Sequence, residues 1–110
     1  MKNDKTDFYE SVYNIVKQIP YGRVTSYGII AKTLGAAKSA RLVGYAMNNV
    51  AKYKDIPAHR VVNRNGELTG RHHFSGDLSM AELLENEGLK IKNDKVVNFT
   101  AVVWNPLQEF

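Results

Sequence analysis

Apolar residues recur at helical spacing in four stretches of the chain. Phe8, Val12, Ile15, Val16 and Ile19 predict a first helix, stopped by Pro20-Tyr21-Gly22. Thr25 or Ser26 can cap a second helix, SYGIIAKTL, with Ile30 and Leu34 facing inward. Gly35-Ala36-Ala37 makes a short break before a third helix over about 38–50. Its inward stripe is Ala40, Val43, Met47 and Val50, and its outward stripe is Lys38, Arg41, Tyr45 and Asn48. Two short helices around a tight glycine turn read as helix-turn-helix over about 26–50.

The stretch from Ala51 to Phe74 reads as loop, with a turn at Asn65-Gly66. A further helix is expected from about Asp77 to Glu87, closed by Gly88. Met80, Leu83, Leu84 and Glu87 share one face of it, so a carboxylate sits on an apolar stripe and needs a partner. LKIKNDKVVNF predicts two short strands around Asn93-Asp94, a small wing beside the helices. The expected fold is therefore mainly α, helix-turn-helix or winged-helix-like, with short β elements in one domain spanning 1–110.

Charge sharpens this picture. The net charge is +4 over 110 residues, but residues 17–60 hold eight basic side chains against Asp55 alone, and residues 61–110 hold five basic against seven acidic. A basic helix-turn-helix block suits a polyanion, and its outward stripe is where reading residues would stand. There is no cysteine, which excludes a disulfide framework, a thiolate metal site and a cysteine nucleophile. No apolar run approaches the roughly 20 residues of a membrane span, and MKNDKTDFYE lacks the apolar core of a signal peptide. These features predict no membrane association and a cytoplasmic protein. His59, His72 and His73 lack the spacing of a metal site, so no metal and no cofactor is expected.

Four blocks, PYGRVTSYGIIA (20–31), SARLVGYAM (39–47), IPAHRVVNRNG (56–66) and LLENEG (83–88), occur in an order and spacing that resembles the DNA-binding domain of the O6-alkylguanine-DNA alkyltransferases. In that family the third block carries the cysteine that accepts the alkyl group; here the position is Ala58. Without a nucleophile the family's transfer chemistry is unavailable. The chain therefore resembles the alkyltransferase-like proteins, which bind alkylated guanine without repairing it and pass it to nucleotide excision repair.

The resemblance implies a role for each matching residue. Arg41 would be the finger that fills the gap left by a flipped base, and Tyr27 would press on the neighbouring phosphate. Ser39, Ala40, Gly44, Tyr45 and Asn48 would complete a DNA-binding face that enters the minor groove. Ala40 and Gly44 are small enough for close approach, whereas Tyr45 is larger than the glycine common there. Met47, Tyr53, Pro57, Ala58 and Val61 would surround the alkylated base, over a pocket loop at about 56–73. Arg71, where many transferases have tyrosine, would stack on the base. His59 and Glu87 match the relay that activates the cysteine and, with no thiol to serve, are expected as a retained structural hydrogen bond; Arg60 would anchor the same loop.

The plain alternatives are a half-buried tyrosine at a helix start for Tyr27 and core filling for Met47. The implied partners are duplex DNA carrying O6-alkylguanine and nucleotide excision repair proteins. The implied protein is a monomer in a bacterial cytoplasm, nucleoid-associated when bound. An inactive cysteine-to-alanine variant of a transferase, a sequence-specific helix-turn-helix regulator and an enzyme using His59 as acceptor stay open as other readings.

Overall fold

The computed structural model describes residues 4–50, 55–71, 74 and 78–109. Helix α1 is Asp4–Val16, α2 is Tyr27–Thr33, α3 is Ala40–Val50, α4 is Met80–Asn86 and α5 is Phe99–Val102. Among the described residues these five helices dominate. The strands β1 (Thr25–Ser26), β2 (Val61–Val62), β3 (Ile91–Lys92) and β4 (Lys95–Val96) are two residues each, so the fold is mostly helical with short β elements, as the sequence predicts. No described helix is long and apolar enough to cross a membrane.

Local chemistry explains the helix-turn-helix. The Ser26 hydroxyl caps α2 by accepting from the Ile29 amide at 3.1 Å. At its other end Gly35 takes φ +73, and the amides of Gly35 and Ala36 donate to the carbonyls of Lys32 and Ala31. This is the six-to-one closure that favours glycine just past a helix. α3 starts two residues later than the sequence predicts. Ser39 accepts the first helical bond, from Val43 at 3.0 Å, so Lys38 precedes the helix.

α4 is also shorter than expected. It begins at Met80 because Ser79 and Glu82 form a reciprocal capping box, 3.1 and 2.9 Å. Asp77, the predicted start, lies outside the described residues. Gly88, at φ +94, closes α4 with the same bond pattern as Gly35 closes α2.

Two apolar clusters form. Val12, Val16, Ile19, Ile30, Ala31, Val43, Ala46, Met47, Ile56, Val61 and Trp104 fill the first, beneath α1–α3. Val24, Val62, Leu68, Met80, Leu84, Leu89 and Val96 fill the second, beneath α4 and the β3–β4 hairpin. Burying each large aliphatic side chain contributes about 1.5–3 kcal/mol. Alternation along β2 divides the clusters, since Val61 faces the first and Val62 the second.

β2 itself corrects the loop reading of that stretch. Val61 and Val62 pair in parallel with Thr25 and Ser26, and Val24 bridges Val103 on the other side. The Trp104 amide donates to the Val24 carbonyl at 2.6 Å. The predicted wing is present: β3 and β4 are antiparallel around Asn93 and Asp94, both left-handed. α5 has no counterpart in the sequence reading.

Candidate nucleic-acid interface and pocket

The outward stripe of α3 is open to solvent. Arg41, Tyr45 and Asn48 are exposed, Tyr45 at 51%, and Lys38 is exposed just before the helix. Among the described residues the Arg41 side chain has no hydrogen bond or ion pair, which leaves its guanidinium available to a partner. Ser39, Ala40 and Gly44 are half-buried on the flanks of that stripe. A methyl group added at Gly44 would meet nothing within 4 Å, so another backbone can approach the helix there. The inward face holds Val43 and Met47, as predicted, and also Ala46, whose carbonyl accepts from the Tyr13 hydroxyl at 2.9 Å.

Behind this face is a small cavity lined by Tyr27, Met47, Asn48, Ala58, Val61, Gly70 and Phe74. Four segments bring these residues together: the start of α2, the C-terminal half of α3, the 3-10 turn Ala58–Arg60 running into β2, and the stretch that holds Gly70 and Phe74. Its volume is about 20 Å³, room for one water. The Tyr27 hydroxyl lies 3.3 Å from Thr69 Oγ1 at the rim. Of the residues expected around a base, Met47, Ala58 and Val61 do line this space. Pro57 instead caps the 3-10 turn, and Tyr53 lies outside the described residues. Gly70 and Phe74 line it without a counterpart in the sequence reading; an isolated aromatic in a polar, glycine-rich stretch is the signal that points to them.

Arg71 is placed elsewhere. Its Nη1 donates to the Leu68 carbonyl at 2.9 Å and its Nε lies 3.5 Å from Asp94 Oδ2 at the hairpin tip.

Next to Ala58, the chemistry is dense. His59 Nε2 lies 2.6 Å from Glu87 Oε2. Arg60 donates from Nε and Nη2 to the same carboxylate at 2.9–3.1 Å, and from Nη1 to the Ile19 carbonyl at 2.9 Å. The Gly22 amide donates to Glu87 Oε1 at 2.8 Å. The Arg60 guanidinium also lies 5.7 Å from the Tyr21 ring centre. Glu87 is only 5% exposed. Burial pushes its carboxyl up, but the hydrogen bonds from Arg60, His59 and Gly22 together outweigh that and hold it below the ordinary value. The predicted pairing of His59 with Glu87 is thus joined by Arg60, and the turn is fastened to the end of α4 and to the Pro20–Gly22 turn.

Among the described residues no three His, Asp or Glu side chains cluster as a metal site; His72 and His73 lie outside them.

Residues 7–89 match the family described as 6-O-methylguanine DNA methyltransferase, DNA binding domain. The chain is 36% identical over 104 residues to Alkyltransferase-like protein 1 of Schizosaccharomyces pombe, covering 91% of this chain and 96% of that one. It is 36% identical over 108 residues to the DNA base-flipping protein of Escherichia coli, covering 94% and 80%. Its structure resembles that of S. pombe Atl1 in complex with damaged DNA containing O6-carboxymethylguanine, with a TM-score of 0.77, 34% identity, and coverage of 96% of this chain and all of that one.

Proposed function

This chain belongs to the family of the 6-O-methylguanine DNA methyltransferase DNA-binding domain, and from that membership we propose that it is a non-enzymatic sensor of O6-alkylguanine in duplex DNA. The observation that carries the reading is Ala58 in the cavity wall, where the resemblance places the acceptor cysteine, in a chain with no cysteine at all. The cavity is kept and the nucleophile is not.

α3 enters the groove, with its backbone close to the DNA at Gly44 and its basic and aromatic side chains outward. Bending and flipping cost a few kcal/mol. Phosphate contacts from the basic block offset part of this and make binding salt-dependent. Arg41 fills the vacated stack, and Tyr27 stands at the mouth where the phosphate beside the flipped nucleotide passes. A cavity of about 20 Å³ is far smaller than a purine, so insertion of the base moves the rim. The hydrogen bond between Tyr27 and Thr69 opens, and Phe74 yields against the base. Arg71 stacks on the base only after it releases Asp94. Because an alkylated guanine pairs poorly, it is the cheaper base to extrude. His59 and Glu87 act here as scaffold.

Bound in this way, the lesion is shielded from alkyltransferases and marked for nucleotide excision repair by a monomeric protein on the nucleoid. The first test is equilibrium binding to two duplexes that differ by one O6-methylguanine, at one stated salt concentration. Tighter binding to the modified duplex, with the methyl group recovered intact on the DNA, is expected. Equal binding to both would point instead to a helix-turn-helix regulator. A methyl label recovered stably on the protein would point to transfer to another acceptor such as His59.

A further inference from the structure

By sequence, residues 61–110 are net acidic, and nothing there suggests a polyanion surface. The fold changes the local balance at the β3–β4 hairpin. Lys92 and Lys95 are directly paired across the strands, so their side chains leave the same face of the hairpin as nearest cross-strand neighbours. Like charges in that register repel, and both residues are exposed. Lys90 is exposed at the base of the same hairpin.

Two carboxylates border the hairpin: Glu67 bridges Lys95 in antiparallel register, and Asp94 lies at the tip. Asp94 faces Arg71 at 3.5 Å, and Glu67 accepts from Asn63 Nδ2 at 2.7 Å. Among the described residues, none of the three lysines forms an ion pair. A groove of about 350 Å³ runs along the hairpin, lined by Lys92, Asn93, Lys95, Val96, Val97 and Asn98.

The hairpin is also tied to the cavity mouth. The Leu68 amide donates to the Asp94 carbonyl at 2.9 Å, and the Val96 amide to the Gly66 carbonyl at 2.8 Å. The next residues, Thr69 and Gly70, form the rim beside Tyr27.

We propose that the β3–β4 hairpin is a second phosphate-binding surface, in which Lys92 and Lys95 hold the backbone of the same duplex that α3 engages. An anion between two opposed lysines removes their repulsion, and among the described residues neither Asp94 nor Glu67 holds any of the three lysines in an ion pair. The inference rests on the DNA-binding part of the reading above and is independent of lesion recognition.

The test is Lys92→Ala/Lys95→Ala, measured on the full chain with both the unmodified and the O6-methylguanine duplex across a salt series. Binding to both duplexes is expected to weaken severalfold by the same factor. The slope of log affinity against log salt is expected to become shallower by about 0.9 for each phosphate no longer neutralised. The variant's Tm should be no lower than that of the parent chain, because a repulsive pair has been removed. Lys92→Arg/Lys95→Arg should keep the parent slope. Unchanged affinity and slope would overturn the inference and leave the lysines as guards of an exposed strand edge. A weakened complex with a lowered Tm and an unchanged slope would overturn it too. A shallower slope on two duplexes bound equally would uphold this surface while removing the sensor reading.

Discussion

Ala58 and Arg60 are two residues apart on one 3-10 turn, yet they face opposite situations. Ala58 borders empty space large enough for one water. His59 and Arg60 meet a buried carboxylate whose two oxygens already accept from three residues. On the proposed reading, recognition and stability are separable here at the scale of single residues. The side of the turn that the proposal turns toward DNA carries only a methyl group, while the other side carries the ionic contacts that fasten the turn. A carboxylate serving only as a base for a thiol would have no use in this chain. One that pins three segments together has a use regardless of the thiol.

The sharpest way to break that contrast is Glu87→Ala. Removing one partner of a buried ionic cluster strands the others, so a loss of about 3–5 kcal/mol of folding stability is expected in urea denaturation. A loss below about 1 kcal/mol would mean the network is not structural. A milder version uses pH. The Glu87 carboxyl titrates lower in the folded chain than in the unfolded chain. Its contribution is therefore complete above the ordinary value of 4.5 and is lost as pH falls through the lower folded value. Stability of the parent chain should decline with acid over that window, and Glu87→Gln should flatten the decline.

On the recognition side, Arg41→Ala should leave urea stability unchanged, because the side chain is exposed and, among the described residues, unpartnered. It should cost about 2 kcal/mol of lesion binding, roughly thirtyfold, since the vacated stack stays empty. Lesion affinity within twofold of the parent would remove the finger role. Ala58→Leu sharpens the comparison from the other end. Filling the cavity should reduce the preference for the modified duplex by about tenfold, with affinity for the unmodified duplex unchanged. If both affinities fell together, Ala58 would belong to the general DNA face rather than to a base pocket.

Much of this is legible along the chain because it is local. Ser26 caps α2 through a bond three residues on, and Gly35 and Gly88 close helices through a backbone conformation that favours glycine. The α3 stripe follows from a period of about 3.6. Asn93-Asp94 marks a tight reversal. Glu87 on an apolar stripe announces that a partner exists, and the family resemblance of the PAHRV block implies which turn supplies it. Even the absence of a cysteine is a property of composition alone.

What the chain does not disclose is non-local. Two-residue strands carry no periodicity, so the pairing of Thr25 with Val61 is decided by packing between the two clusters. Arg71 is expected on the base, and its contact with Asp94 joins residues far apart in the chain. Phe74 stands out as an isolated aromatic, but that it reaches the cavity is decided by the fold. The opposition of Lys92 and Lys95 exists only in the paired register of the hairpin. Sequence by itself determined helices α1 to α4, the Ser26 cap, the glycine closures and the absence of a cysteine, because each depends on composition or on residues within a few positions of one another. The tertiary structure alone decided which side chains share the cavity, which charges are cancelled and which are left facing outward, because those energies depend on distances between segments far apart in the chain.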